Sequence, residues 1–310
     1  MSPAGKRVVR LRRRRLRALG AVLTVLALLG ITACTNDESW LDVQPISVDV
    51  AKQPEIAALV PPKIAQSGVL RVGTNPPYQP NEFKDKDGRI IGFDIDLMNA
   101  IGQVLGLRVV YFESDFDKII PAIQAGTYDA GISSFTDTLD REEQVDFVTY
   151  YRAGVQWVQR AGDDIDPDDA CGRRVGVQST TVEDTDEVPA KSAACVAAGK
   201  PPIDKQKFDA QDQAVTALLL GKIDAFSADS PVSAYAVTKT AKIGEHLELV
   251  GPIYDAAPYG IPVRKGSELA TAINRAVQYL IDNGYYQTIA EHWGVEAGMI
   301  DLSQINGATG

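Results

Sequence analysis

Between residues 131 and 141 the sequence reads GISSFTDTLDR, a short apolar run that passes into hydroxyl side chains and ends on an arginine. Arg141 offers a planar fork of N–H donors matched to a carboxylate, and Ser133, Ser134 and Thr136 can add neutral hydrogen bonds beside it. Such a set could hold the carboxylate of a small zwitterion. The competing reading is a surface loop with a solvated arginine, because most arginines are exposed. An internal comparison adds a carboxylate from the other half of the chain. AIQAGTYDAGISS (122–134) and ALLLGKIDAFSAD (217–229) both run from a helix end through a glycine into x-x-Asp-Ala and a strand. Aligning Gly126 with Gly221 places Asp129 on Asp224 and Ser134 on Asp229. One half of the chain then presents Arg141 with hydroxyls, the other the carboxylate of Asp229.

The elements that must carry these residues emerge from periodicity. Val69 to Thr74 is a β-prone run that stops at Asn75-Pro76-Pro77, and Tyr78, Asn81 and Glu82 come next in the loop. From Asp94, the residues Leu97, Met98, Ile101, Val104 and Leu105 form one face of a helix closed by Gly106. Leu107 to Phe112 reads as a strand. A second helix comes after it, capped by Asp115 or Asp117, with Pro121 expected in its first turn, where amides lack partners. Tyr128 to Ile132 is the next strand. Strand and helix alternating in this order predict a parallel sheet, which binds ligands at the carboxyl ends of its strands. Asn75 to Tyr78, Asp115 to Asp117 and Ser133 to Arg141 therefore share one rim. In the second half Arg174 to Gln178 reads as a strand whose exit, Ser179-Thr180-Thr181, is either a simple helix cap or a set of hydroxyls and amides for an anion. An amphipathic helix begins at Glu268, and a last one spans about Tyr285 to Trp293.

The 310 residues allow about two domain-sized units, and the composition is that of a globular protein. Eight of the 31 basic residues lie in the first 33 positions, which hold no acid; the remainder carries 23 bases against 41 acids, a formal charge of −18. So acidic a body argues against nucleic-acid binding. The basic cluster precedes an apolar run, Ala18 to Ala33, with the layout of a secretory signal. Ile31-Thr32-Ala33-Cys34 resembles a bacterial lipobox, which implies cleavage before Cys34 and a lipid on its thiol; the alternative is an uncleaved anchor and an incidental cysteine. Residues 34–65 then read as a tether. Cys171 and Cys195 are an even remainder in an exported chain, which points to a disulfide, with two separate buried thiols as the alternative. Neither has a second ligand at zinc spacing, and no metal or cofactor is expected.

LRVGT, GFDIDL, IIPAIQAGTYDA and DREEQVDFVTYY, in this order over about residues 66–296, resemble the amino-acid-binding branch of the bacterial extracellular solute-binding proteins, family 3, which feed ABC importers. The resemblance implies a two-lobed α/β fold of the type II periplasmic-binding-protein kind, with two crossing strands as hinge. Lobe 1 would comprise residues 66–156 and 256–300, lobe 2 residues 157–255, and 301–310 a C-terminal tail. It further implies that Arg141 holds the carboxylate of a free L-α-amino acid, helped by Thr136, the Ser134 backbone and Ser179, Thr180 and Thr181. Asp229 would receive the ammonium, and Tyr78 and Phe116 would sandwich the side chain. Selectivity would then lie in Asn75, Tyr78, Asn81, Glu82 and Phe116. Asn75 stands where many members carry an acid, which leans the ligand towards polar and uncharged, unless Glu82, Asp115 or Asp117 supplies a charge. The implied protein is a lipid-anchored monomer outside the cell membrane that delivers its ligand to a permease, and no catalytic residues are expected. Two other readings are a sensing accessory lipoprotein and a dehydratase-like enzyme on the same scaffold. For the enzyme the inventory is thin: His246 and His292 stand outside any H-E-x-x-H, and there is no G-x-S-x-G.

Overall fold

Two sets of three parallel strands flank a pair of long antiparallel ones. The structure is a computed structural model that describes residues 43–308; the leader, Cys34 and the first part of the expected tether lie outside the described residues. In chain order the first half holds α1 (Pro54–Ala57), α2 (Pro62–Ser67), β1 (Val69–Thr74), β2 (Phe83–Lys84), β3 (Ile90–Ile91), α3 (Phe93–Leu105), β4 (Arg108–Glu113), α4 (Phe116–Gln124), β5 (Ala130–Gly131) and α5 (Leu139–Glu142). The second half holds β6 (Val145–Arg160), β7 (Arg174–Gln178), a π-helical turn at Glu183–Glu187, α6 (Val188–Ala197), β8 (Asp204–Phe208), α7 (Gln211–Leu219), β9 (Ala225–Asp229), α8 (Ser230–Lys242), β10 (Leu247–Arg264), α9 (Glu268–Asp282) and α10 (Tyr285–Trp293).

The main sheet has the order β4-β1-β5-β10-β6-β9-β7-β8. β1 pairs in parallel with β4 and β5, and β7 pairs in parallel with β8 and β9. Between these sets, β6 and β10 pair with each other from Leu247↔Arg160 to Arg264↔Val145, so the same two strands serve both lobes. Their register shifts between Val250 and Tyr254, between Tyr254 and Ala257, and between Tyr259 and Gly260. Such irregularities kink a strand pair and loosen its ladder. They mark the segment where the chain passes from one lobe to the other.

The internal repeat has a physical basis. Asp129 accepts the fork of Arg71, at 3.0 Å from Nε and 2.6 Å from Nη2, and Asp224 accepts that of Arg174, at 3.2 and 2.5 Å. Each aspartate thus ties the turn before one strand to the start of its neighbour. The next positions repeat as well, because Arg71-Val72-Gly73 and Arg174-Val175-Gly176 lie at matching places in β1 and β7. A Cβ on Gly73 would lie 2.6 Å from the Tyr128 ring and one on Gly176 2.6 Å from the terminal methyl of Ile223, so glycine gives each turn room to pack on the strand.

On lobe 1, Ile119, Ile120 and Ile123 of α4 pack with Phe135, Val145 and Phe147. Full burial of such a side chain contributes about 1.5–3 kcal/mol, which fixes α4 and the 133–141 loop together. Pro121 lies in the interior of α4, beyond the first turn where the sequence places it. The helix is nine residues long, so few of its hydrogen bonds depend on that missing N–H. Residues 44–50, within the stretch read as tether, lie against α3 and α10. Ile46 N–H donates to Asp96 (2.9 Å), Val50 N–H donates to Gln103 (2.9 Å), and the His292 ring meets the Gln44 carbonyl at 2.8 Å.

Cys171 and Cys195 form a disulfide that joins the approach to β7 to α6. Closing a loop of this length contributes about 3 kcal/mol by the chain-entropy estimate. Replacing both cysteines by alanine is expected to lower the urea midpoint by the equivalent of about 2–4 kcal/mol without changing the far-ultraviolet circular dichroism.

Candidate functional site

Strand ends put the chemistry in one place. Residues Asn75, Tyr78, Glu82, Phe116, Ser133, Ser134, Thr136, Arg141, Thr181 and Asp229 line one cavity of about 300 Å³, together with Gln178, Val182 and Glu183. Ten of the twelve residues expected from the sequence are therefore gathered there. Ser179 and Thr180 instead face a neighbouring cleft with Asp115, Asp117 and Asp209. Asn81 lies behind the lining, fully buried, and donates from Nδ2 to Ser134 Oγ at 2.8 Å.

Arg141 stands in the one-turn helix α5, whose N-cap hydroxyl, Thr138 Oγ1, accepts from the Arg141 amide at 3.3 Å. Its guanidinium donates to the Thr136 carbonyl (2.8 Å) and, across the cleft, to the Thr180 carbonyl (3.0 Å). Phe116 and Phe135 stack at 4.3 Å and present ring faces 5.6 and 5.9 Å from its centre. Burial draws the guanidinium below its ordinary pKa, and the nearby acids Glu183 and Asp229 oppose that shift. With two of five N–H donors engaged, the fork retains donors for an anion.

Asp229 closes β9 and stands at the N-cap position of α8. Its Oδ2 accepts the Tyr78 hydroxyl at 2.5 Å, which joins the two lobes directly. Burial pushes the Asp229 carboxyl up to about 6, against the pull of Tyr78 and Arg141. A second cross-lobe bond runs from Gln178 Nε2 to Asn75 Oδ1 at 2.8 Å. These two amides occupy equivalent positions in the repeat, each directly after an R-V-G-x run. The structure is thus a closed arrangement in which both lobes touch across the cavity.

The serines do less at the cavity surface than their position predicts. Ser133 Oγ donates to Glu82 Oε1 at 2.7 Å and accepts from the Asn75 amide at 3.1 Å. Ser134 has a left-handed backbone (φ 51°), and its amide donates to Asp94 Oδ2 at 2.9 Å. Tyr150 OH donates to the same carboxyl at 2.9 Å. Behind the site, then, Glu82 and Asp94 form a buried acid pair that holds the serine turn. Burial and the Asp94 charge push the Glu82 carboxyl well above its ordinary range. Thr180 likewise has a left-handed backbone, φ 66°, and its amide donates to Asp184 at 2.9 Å, so that amide is not open to an anion.

Glu183 and Gln178 are the residues that sequence reasoning missed. Glu183 is 1% exposed, and burial with Asp229 close by pushes its carboxyl up to about 8. Its Oε1 and the Oε1 of Gln178 are buried without a hydrogen-bond partner. A legible signal existed for Gln178, as the partner of Asn75 in the repeat. For Glu183 there was none beyond its place just after the β7 exit.

The chain belongs to the bacterial extracellular solute-binding proteins, family 3, whose sequence profile matches residues 70–296. Among individual relatives, the arginine-binding protein ArgT of Corynebacterium glutamicum is 46% identical over 273 residues, 87% of each chain. An ancestral arginine-binding protein bound to arginine is similar in structure, with a TM-score of 0.67 and 38% identity, over 73% of this chain and 98% of that one. An ancestral amino acid-binding protein described as a precursor of cyclohexadienyl dehydratase matches with a TM-score of 0.63 and 32% identity, over 74% and 97%. The fold is accordingly the two-lobed type II fold. Among the described residues no helix is long and apolar enough to cross a membrane.

The buried acid pair has a measurable signature. An unfolded Glu82 ionises near its ordinary value of 4.5 while the folded carboxyl is raised, so its contribution to stability is complete below that pH and declines as pH rises towards the folded pKa. Glu82→Gln keeps a neutral donor facing Asp94. Its stability relative to the unaltered protein is expected to improve as pH rises above about 4.5, as read from urea unfolding at each pH; a pH-independent difference would contradict the raised carboxyl.

Proposed function

We propose that the protein captures a cationic L-α-amino acid, arginine foremost, between its lobes and delivers it to an ABC permease, as a monomer held outside the cell membrane by lipidated Cys34. The observation that carries the ligand class is the charge set of the cavity: Arg141 on lobe 1 against Asp229 and Glu183 on lobe 2. An amino acid with one carboxylate and two cationic centres is its complement. Asn75 leans the reading towards an uncharged ligand, and Glu183 reverses that lean by supplying the acid Asn75 lacks. The partnerless oxygens of Glu183 and Gln178 require donors, and a guanidinium carries five N–H groups.

In this reading Arg141 takes the α-carboxylate and Asp229 the α-ammonium in exchange for the Tyr78 hydroxyl, while Phe116 and Tyr78 enclose the aliphatic stem. Each charge-assisted contact contributes about 1.5–3 kcal/mol net. Because the partners sit on opposite lobes, that energy is available only when the lobes are closed, so ligand shifts the population to the closed form. The names of the arginine-binding relatives support the ligand class, and the family supports the transporter role. The reading is capture and release without turnover. Neither His246 nor His292 belongs to the cavity lining.

Calorimetry with arginine, citrulline and glutamine tests this. Arginine is expected to bind at least about tenfold tighter than citrulline, a difference of about 1.4 kcal/mol. Glu183→Gln should abolish that preference, and Arg141→Ala should abolish binding of all three with the fold intact. A cation engages Glu183 in its ionised form, so arginine binding should release a proton and strengthen as pH rises towards about 8. Equal affinities for arginine and citrulline at every pH would overturn the cationic assignment.

A further inference from the structure

Past the last helix the chain returns to the site. β6 pairs with β10 at Phe147, Val148 and Thr149, and with β9 only from Val155 onward, so its other side is open at those three residues. The segment 303–308 takes that side. Ile305 forms an antiparallel bridge with Val148; Thr149 N–H donates to the Gln304 carbonyl and Asn306 N–H to the Phe147 carbonyl, both at 2.9 Å. Asn306 has a left-handed backbone (φ 57°), accepts from Phe147 N–H through Oδ1 at 2.9 Å, and donates to Asp146 at 3.1 Å. The chain then leaves β6 for the turn that carries Arg141. Gly307 N–H donates to Asp137 Oδ2 at 2.7 Å, and Ala308 N–H to Glu142 Oε1 at 3.0 Å.

Asp137 and Glu142 bracket Arg141, and α5 between them is only four residues long. So short a helix has little stability of its own. Asp137 acts electrostatically on the Arg141 guanidinium and on Glu142, so the two acids together bring negative charge to the α5 turn that can compete with a bound carboxylate.

We propose that residues 306–308 form a strap that positions Arg141 for its ligand, by pinning the α5 turn to β6 and by engaging Asp137 and Glu142 so that neither carboxylate captures the guanidinium. Asp137, Glu142 and Asn306 are then positioning residues. The proposal rests on Arg141 holding the ligand's carboxylate. It adds that the geometry of that arginine depends on a segment distant in sequence and outside the cavity.

The test compares the full chain, a chain ending at Leu302, and the point variant Gly307→Pro, which removes one strap donor and, with a Cβ 2.7 Å from Thr149 and a left-handed Asn306 before it, loosens the strap on β6. Calorimetry with arginine and nitrogen NMR of the Arg141 Nε–H signal in ligand-free protein, assigned with Arg141→Lys, give separate readouts. Both variants should shift or broaden the Arg141 signal and weaken arginine binding about tenfold or more, the scale of one or two lost hydrogen bonds. Adding Asp137→Asn and Glu142→Gln to the truncated chain removes the competing charges and should restore most of the affinity, as should the peptide SQINGATG supplied in trans. An unmoved Arg141 signal in both variants overturns the strap. So does a loss of affinity that neither the two substitutions nor the peptide restores, since that marks a purely structural tail. If the full chain binds no arginine, the functional reading fails, and the NMR comparison alone decides on the strap.

Discussion

A guanidinium on one lobe faces two buried carboxyl groups on the other, and the long strand pair β6 and β10 runs through both lobes. Charges withdrawn from water are costly unless they are paired, and a pair split between two bodies is satisfied only when those bodies meet. In the closed structure the protein satisfies it with its own groups: Tyr78 donates to Asp229, Gln178 to Asn75, and Arg141 to the Thr180 carbonyl. The bond to Asp229 comes from a neutral hydroxyl where an ammonium would bring charge. In the proposed function a ligand ammonium would therefore improve on the one partner it replaces, the Tyr78 hydroxyl, and only with both lobes engaged.

The rest of the molecule holds these groups at the cleft. The forks of Arg71 on Asp129 and of Arg174 on Asp224 build the same corner twice, once for each lobe. Glycines at 73 and 176 allow the close approach in both. Each corner sends its strand end to the rim, which brings Asn75 opposite Gln178. Beyond those strand ends the lobes diverge, with hydroxyls and an arginine in one and carboxyl groups in the other. Near symmetry of the scaffold thus produces opposite signs across the cavity.

Much of this was legible in the sequence. The alternation of strands and helices, the x-x-Asp-Ala repeat and the strand-end rule bring Arg141, Asp229, Tyr78 and Phe116 together because each depends on local pattern. The illegible part depends on long-range contact. Ser133 and Ser134 look like ligand donors, yet Glu82 and Asp94, 51 and 40 residues away, take their donors. Glu183 gives no periodic signal, since its importance comes from the turn that aims it into a cavity. The packing of residues 44–50 on Asp96 and Gln103, and of 304–308 on β6 and α5, relies on single amides meeting distant side chains, which composition cannot display. Pro121 lies in the interior of α4 because tertiary burial of its neighbouring isoleucines outweighs one missing hydrogen bond.

A ligand that bridges the lobes through Arg141 and Asp229 must draw those lobes together. Small-angle X-ray scattering of the protein with and without saturating arginine, repeated on Asp229→Asn, measures that bridging most directly. Arginine should reduce the radius of gyration of the unaltered protein, or narrow its distribution of sizes, and Asp229→Asn should show neither change at the same arginine concentration. The same contraction in both proteins would contradict the bridge.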